Sequence, residues 1–155
     1  MKVLIGFASM SGNTEEIMLI LKEILEEKNC HVEVMEMDTI AVSSLTTYNL
    51  LLLGSYTWGD GDLPYEIEDF YEELETIMLA GVPAACFGSG DTDYPEFCRA
   101  IELIADRLKE RGADVFSDLL KIELSPDTDE AVEECKQFAH SVYNWAKLKE
   151  ETDVY

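Results

Sequence analysis

The sequence predicts an α/β fold, a three-layer doubly wound sandwich in which helices cover both faces of a five-stranded parallel sheet. Strand-like and helix-like patterns alternate along the 155 residues, which is typical of this class. The strand-like segments are mostly short, continuous apolar runs, as expected for parallel strands buried on both faces. Because no repeat or linker-like stretch divides the chain, we expect one domain over 1–150, followed by a frayed tail at 151–155.

The first half of the chain predicts three strands and one long helix. Leu50-Leu51-Leu52-Leu53 is a continuous apolar run typical of a central strand, whereas Val32 and Val34 alternate with polar residues as at a sheet edge. Ile17 and Leu21 belong to an apolar stripe at helical spacing. The predicted elements are strands at 2–7, 31–37 and 49–55 and a helix at 15–28.

The second half predicts three helices and two strands. Gly112 is a natural end for the second of these helices, and Asp127 is the expected N-cap of the last one. The strands are expected at 83–88 and, in two pieces, within 114–124. The first of the three helices is expected to bury one face, made of Ile67, Phe70, Tyr71, Leu74, Ile77 and Met78. Tyr65, Tyr71 and Trp145 are interpreted as core residues.

The charge balance is strongly acidic and unevenly distributed. Acidic residues number 33 against 11 basic ones, so the formal net charge is −22 and neither nucleic acid nor an anionic membrane is an expected partner. Residues 29–98 contain 14 acidic residues and no Lys or Arg. Such a surface aids solubility, and it also suits electrostatic steering toward the basic face of a partner protein.

Hydropathy and cysteine usage indicate a cytoplasmic protein. The longest apolar run has four leucines, far too few to span a bilayer, and the first residues are strand-like rather than a signal peptide. The four cysteines form no CxxC pair and no cluster with the two histidines, so we expect buried free thiols and no zinc site.

The segment between the first strand and the first helix has an unusual composition. Residues 9–14 carry three hydroxyl side chains, an Asn and a Gly at a helix N-terminus. Backbone N–H groups and the helix dipole make such a position suitable for an anion, so the segment is a candidate phosphate cradle. A helix cap that binds nothing is the alternative interpretation of these residues.

Two further loops follow the third and fourth strands. Residues 56–62 and 88–94 are rich in glycine and each carries an aromatic side chain, Trp58 and Tyr94, outside any helical stripe. Ligands of doubly wound sheets bind beyond the carboxyl ends of the strands, where the strand order reverses. If the three loops are neighbours, they offer a phosphate site and two rings for a flat group, which together favour a flavin mononucleotide.

These three loops resemble those of the flavodoxins. Ser9-Met10-Ser11-Gly12-Asn13-Thr14 is similar to the flavodoxin phosphate loop, and the segments at 57–61 and 88–94 look like the two loops that flank the flavin ring. The resemblance covers the whole chain in the right order, without a long insertion in the last strand, as in short-chain members. It implies strand order 2-1-3-4-5 and FMN held at the switch point, for which flavodoxin is a standard example.

The resemblance also implies roles for individual residues. Residues 9–14 would hold the phosphate, Trp58 would cover the inner face of the ring, and Tyr94 would stack on its outer face. Tyr56 competes with Trp58 for the inner face. The peptide of Gly59 would turn its carbonyl toward N5–H of the one-electron-reduced ring. The full expected cofactor site comprises Ser9, Met10, Ser11, Gly12, Asn13, Thr14, Tyr56, Thr57, Trp58, Gly59, Ser89, Gly90, Asp91, Tyr94, Phe97 and Cys98. Neither a catalytic residue nor a metal ligand is predicted.

The expected function is that of a monomeric, low-potential carrier of single electrons with non-covalent FMN. Its partners would be an NAD(P)H-dependent reductase and an oxygenase or another acceptor, each docking through a basic face. The alternative is an NAD(P)H-dependent FMN or quinone reductase, which needs space beside the ring and cations for its cofactor. A phospho-receiver domain is excluded, because Ala8-Ser9, Gly54-Ser55 and Leu124-Ser125 stand where its acids and lysine are required.

Overall fold

A parallel β-sheet forms the centre of the protein in the computed structural model, which describes residues 1–152. The strand order is β2-β1-β3-β4-β5, and β6 also pairs with β4. β5 pairs with the start of β4 and β6 with its end, so the two short strands occupy one position in the sheet. The predicted order 2-1-3-4-5 and the division of the last strand are therefore confirmed. The strands are β1 (Lys2–Ala8), β2 (His31–Glu36), β3 (Leu50–Tyr56), β4 (Pro83–Gly90), β5 (Asp114–Val115) and β6 (Leu120–Glu123).

Helices cover both faces of the sheet, as predicted. α1 and α4 cover the face to which Val3 and Ile5 of β1 point, whereas α2 and α3 cover the face of Leu4. The alternation along β1 follows from the two-residue period of a strand. The helices are α1 (Asn13–Glu27), α2 (Glu68–Glu73), α3 (Arg99–Glu110) and α4 (Asp129–Thr152). Short 3₁₀ turns lie at Met37–Thr39, Val42–Thr47, Tyr65–Ile67 and Leu74–Thr76.

The segment after Pro64 differs from the long helix that the sequence predicts. α2 has only six residues and lies between two 3₁₀ turns. A 3₁₀ turn has about 3.0 residues per turn instead of 3.6, so the side chains rotate off the predicted apolar face. Tyr65 is 87% exposed and Met78 is 62% exposed, so their assignment to the core was wrong. Tyr71 is half-buried, and Trp145 packs against Phe116 with ring centroids 5.2 Å apart.

The ends of the later helices show one confirmed and one wrong prediction. α3 closes as expected, since the N–H groups of Gly112 and Ala113 donate to the carbonyls of Lys109 and Leu108. The cap of α4 is Thr128, whose Oγ1 accepts from the N–H of Ala131 at 3.1 Å. Asp127, the predicted cap, instead donates its own N–H to the Ser125 carbonyl.

The remaining predictions concern the termini and the thiols. α4 continues through Thr152, two residues into the tail predicted to fray, and residues 153–155 lie outside the described residues. All four cysteines are free and buried, as predicted. Within residues 1–152 the structure contains no helix long and apolar enough to cross a membrane.

Candidate functional site

Three loops meet at one edge of the sheet. β3 lies between β1 and β4, and all three strands run in the same direction, so the loops that follow them are neighbours. They enclose two adjoining cavities of about 170 and 370 Å³. Met10, Thr57, Gly90 and Asp91 line both cavities, which therefore form one continuous site.

The smaller cavity lies against the N-terminus of α1. Gly12 has φ +89° and precedes the helix, and its N–H donates to Ser9 Oγ at 3.1 Å, which folds the loop back on itself. Within residues 1–152 no side chain caps the first turn of α1, so its N–H groups are available to an external acceptor. The lining residues are Ser9, Met10, Ser11, Asn13, Thr14, Tyr56, Thr57, Ser89, Gly90, Asp91 and Leu124.

A buried hydrogen bond joins the first loop to the third. Thr14 Oγ1 and Ser89 Oγ lie 2.7 Å apart, and both side chains are buried. Each hydroxyl can both donate and accept hydrogen bonds. The two groups therefore bond to each other and can still form a further hydrogen bond toward the cavity. Hydroxyls, an amide and free backbone N–H groups are a donor set that fits a phosphate.

The larger cavity has an aromatic side chain on each of two loops. Trp58 and Tyr94 line it and remain 53% and 52% exposed, so about half of each side chain is available for contact. Apolar walls with a few polar groups are typical of a site for a flat organic ring. The lining residues are Met10, Thr57, Trp58, Gly59, Gly90, Asp91, Tyr94, Glu96 and Cys98.

The loop that carries Trp58 is a tight hairpin fixed to α3. The N–H groups of Trp58 and Asp62 each donate to the carbonyl of the other residue at 2.9 Å, and Gly59 takes φ +54° at the turn. Thr57 Oγ1 accepts from the N–H of Ala100 at 3.0 Å. The start of α3 therefore positions the Trp58 loop as well as the Tyr94 loop, which directly precedes α3 in the sequence.

The loop that carries Tyr94 is closed by Asp91. Asp91 accepts from the N–H of Asp93 through Oδ1 at 2.9 Å and from the N–H of Tyr94 through its carbonyl at 3.1 Å. Cys98 is fully buried at the back of the cavity, and burial raises the pKa of its thiol to about 12. Its side chain is thus a neutral apolar wall rather than a nucleophile.

Three predicted residues take positions that the sequence could not define. Tyr56 lines only the smaller cavity, and burial, with Glu66 beside it, raises the pKa of its hydroxyl. Trp58, rather than Tyr56, therefore lines the ring-sized cavity. Phe97 lines neither cavity and packs into the core on the α3 side of the sheet, whereas Gly12 shapes the first loop without lining it.

Sequence analysis missed two residues that line the site. Leu124 follows β6, next to β4, and its N–H donates to the Gly90 carbonyl at 2.7 Å. The predicted strand order could have indicated it, because the last strand ends beside the fourth. Glu96 lies between Tyr94 and α3, and no local pattern marks it.

The charge of the site is negative. Neither cavity is lined by a Lys or Arg among the described residues, whereas Asp91 and Glu96 both line the larger one. Residues 1–152 contain no cluster of side chains able to hold a metal ion.

A doubly wound sheet with a phosphate-type cradle and a ring-sized cavity at its switch point defines a mononucleotide-binding α/β protein. The sequence model of the flavodoxin family matches residues 5–138. This chain belongs to the flavodoxins, a family of electron-transfer proteins whose cofactor is FMN and which work with redox partner proteins.

Similar proteins occur in two Bacillus species. A probable flavodoxin 1 of Bacillus subtilis is 49% identical over 154 residues, covering 99% of this chain and 98% of that protein. The structure of oxidised flavodoxin 2 from Bacillus cereus is 48% identical, with a TM-score of 0.91 over 93% of this chain and 99% of that one. Oxidised flavodoxin 1 of the same organism is 43% identical, with a TM-score of 0.89 over 93% and 98%. Membership of the family favours the electron carrier over the reductase considered above.

Proposed function

We propose that this protein is a low-potential carrier of single electrons that binds FMN non-covalently in the two adjoining cavities. The observation that carries the proposal is the convergence of three loops, one rich in phosphate-type donors and two with half-exposed rings. FMN supplies the redox chemistry, and the protein supplies binding, orientation and electrostatics.

Residues around the smaller cavity would hold the phosphate. The uncapped N–H groups of α1 and the side chains of Ser9, Ser11, Asn13 and Thr14 are suitable donors. Gly12 gives the loop its left-handed turn, and Ser89 orients the Thr14 hydroxyl. Because these donors are neutral, the binding of a dianion depends on hydrogen bonds and the helix dipole.

Residues around the larger cavity would hold the ring. Trp58 would lie on its inner face and Tyr94 on its outer face, with Met10, Thr57 and Tyr56 on the side of the phosphate. Gly90 and Asp91 would contact the pyrimidine edge, and Cys98, backed by Phe97, would close the rear wall. The peptide of Gly59, at the tip of the hairpin, would meet the reactive nitrogen of the ring.

A low potential follows from the charges around the site. Reduction adds negative charge to the ring, beside a phosphate and two acidic lining residues, and no Lys or Arg of the described part of the chain lines either cavity. Coulomb repulsion destabilises that charge and so favours loss of the electron to an acceptor. The protein would thereby deliver electrons that free FMN would retain.

The proposed partners carry basic faces. They are an NAD(P)H-dependent reductase as donor and an oxygenase or other redox enzyme as acceptor. All eight acidic residues within 60–75 are exposed, beside the hairpin that carries Trp58. We also infer a monomeric, single-domain protein over 1–150 located in the cytoplasm, where free thiols such as its four cysteines persist.

Titration of the FMN-free protein with FMN tests the proposal. We expect one FMN per chain, measured by quenching of flavin fluorescence, and a midpoint potential for full reduction below that of free FMN. Trp58→Ala and Tyr94→Ala should each weaken binding, whereas Trp145→Phe, on α4, should not. NADPH alone should leave the flavin oxidised. Failure to bind FMN would overturn the proposal, and rapid bleaching by NADPH alone would favour the reductase.

A further inference from the structure

Leu124 lines the smaller cavity with a strained backbone and an exposed apolar side chain. Its φ of +55° lies in the left-handed region, which a bulky residue adopts only at a cost, and its side chain is 51% exposed. A glycine would make the same turn without strain. Strained backbone is concentrated at functional positions such as ligand clamps. Leu124 is therefore a candidate for a role that the turn alone does not require.

The surrounding structure fixes Leu124 on both sides. Its N–H donates to the Gly90 carbonyl at 2.7 Å, which continues the pairing of β6 with β4. The preceding residue, Glu123, accepts a hydrogen bond from the Thr92 hydroxyl. On the other side the chain leads into α4, whose first turn is capped by Thr128. These contacts hold the leucine side chain at the wall of the smaller cavity.

Leu124 also separates the smaller cavity from a groove between the end of β6 and the start of α4. This outer groove has a volume of about 400 Å³, and Leu124 alone among the described residues lines both spaces. The ammonium of Lys121, which lines the groove, pairs with Glu102 at 2.6 Å. The leucine thus lies between the phosphate donors and an acidic region open to water. The exposed acidic residues that line the groove are Glu123, Asp127, Glu130 and Glu134.

We infer that Leu124 is an apolar clamp that slows the release of FMN by covering the phosphate end of the site. This inference rests on the proposed function. The donors of the smaller cavity are neutral, so water competes directly for the hydrogen bonds that hold the dianion, and nearby acidic groups repel it. A leucine side chain over those bonds excludes water and the outer groove from them. Covering its exposed half adds apolar contact, which FMN has to break before it leaves.

The test measures the rate of FMN release, obtained from Kd in a fluorescence titration and the association rate constant in stopped flow. Leu124→Asn introduces a polar side chain of similar size that adopts the left-handed region more readily. It should not lower the urea midpoint of the FMN-free protein. It should nevertheless release FMN about threefold to tenfold faster, the effect of losing part of the burial of one leucine. Leu124→Gly, which removes both the strain and the cover, should release FMN at least as fast as Leu124→Asn.

Three further variants provide controls. Leu124→Met keeps an apolar cover and should release FMN within about twofold of the wild-type rate. Leu19, on α1, is 53% exposed and lines neither cavity, so Leu19→Gln should also stay within about twofold. Asn29 has φ +64° directly after the C-cap of α1. Asn29→Leu places a leucine in the left-handed region away from the site, so it should lower the urea midpoint without changing FMN release.

Faster release from Leu124→Asn at an unchanged or raised urea midpoint supports the inference, because a merely structural role would lower both stability and affinity. Wild-type release from Leu124→Asn and Leu124→Gly would overturn it, as would release from Leu124→Met as fast as from Leu124→Asn. A lower urea midpoint in both Leu124→Asn and Leu124→Gly would also overturn it, since Leu124 would then act through stability. Absence of FMN binding by the wild type would instead overturn the proposed function.

Discussion

At the scale of single residues, Gly12 illustrates how one backbone angle supports the site. Its φ of +89° is strained for any residue with a Cβ atom, although a Cβ there would meet nothing within 4 Å. We therefore expect Gly12→Ala to lower the free energy of unfolding by about 1–2 kcal/mol through backbone strain alone. The strained loop should also present its donors less well, so FMN should bind more weakly.

Gly81 is the matched control for this prediction. It has φ +74°, with equally open space around the missing side chain, and it lies far from the site, before β4. Gly81→Ala should destabilise the FMN-free protein by a similar amount in urea without changing its affinity for FMN. Equal losses of FMN affinity in both variants would show that Gly12 acts only through stability.

The site residues that could be identified from the sequence are those whose local pattern is unusual for a buried core. Hydroxyls at 9–14 and aromatic side chains on glycine-rich loops are unusual locally, so Trp58 and Tyr94 could be predicted. Glu96 could not, because its contact with Gly61 joins residues 35 positions apart. Which of Tyr56 and Trp58 lines the larger cavity likewise needed the structure, since it depends on which way each side chain turns.

At the scale of elements, α3 organises the segment that follows the Trp58 hairpin. Arg107 donates from Nη1 to the Tyr71 carbonyl at 2.7 Å, and its guanidinium lies 3.9 Å from the centre of the Tyr71 ring. Nη2 pairs with Glu75 at 3.2 Å. Arg111 donates to the Ile77 carbonyl at 2.9 Å. Arg107 of α3 and Arg111, directly after the end of α3, thus bind two carbonyls in the segment that contains α2 and its flanking turns.

These contacts explain why the second predicted helix was wrong. Its apolar residues have helical spacing, but hydrogen bonds to Arg107 and Arg111 satisfy carbonyls at positions where a long helix would have used them internally. Tertiary hydrogen bonding therefore overrode local periodicity. The strands were predicted more accurately, because runs such as Leu50-Leu51-Leu52-Leu53 are apolar on both sides and fit only a covered central strand.

We expect Arg107→Met to lower the free energy of unfolding by about 2–3 kcal/mol, since it removes a charged hydrogen bond to a carbonyl and a contact with an aromatic ring. Arg107→Lys should recover little of this loss, because an ammonium cannot reproduce the planar fork. Lys109→Met, on the exposed face of the same helix, is the control and should stay within about 0.5 kcal/mol. Urea unfolding measures all three, and a fully stable Arg107→Met would refute this role for α3.

At the scale of the whole molecule, the Lys and Arg residues are confined to 1–28 and 99–155 and are absent from the acidic stretch between them. No Lys or Arg occurs within 29–98, so cations reach the acidic surface around α2 from other elements, as Arg107 of α3 does by pairing with Glu75. A formal charge of −22 arranged in this way produces a field that orients the molecule before contact. The ring-sized cavity opens beside this surface, so a basic partner attracted to it arrives near the site of electron transfer.

The last prediction separates the position of charge from its amount. Asp69→Asn/Glu72→Gln/Glu73→Gln removes three exposed acids around α2, whereas Glu23→Gln/Glu27→Gln/Glu133→Gln removes three exposed acids from α1 and α4. None of these residues lines either cavity, so both variants should bind FMN normally. The rate of electron transfer to a basic c-type cytochrome, followed by stopped flow, should fall strongly only in the first variant. In the first variant the rate should also depend less on salt concentration, because steering acts over a screening length of about 8 Å at physiological ionic strength. Equal slowing in both variants would mean that net charge alone, and not its arrangement, governs association.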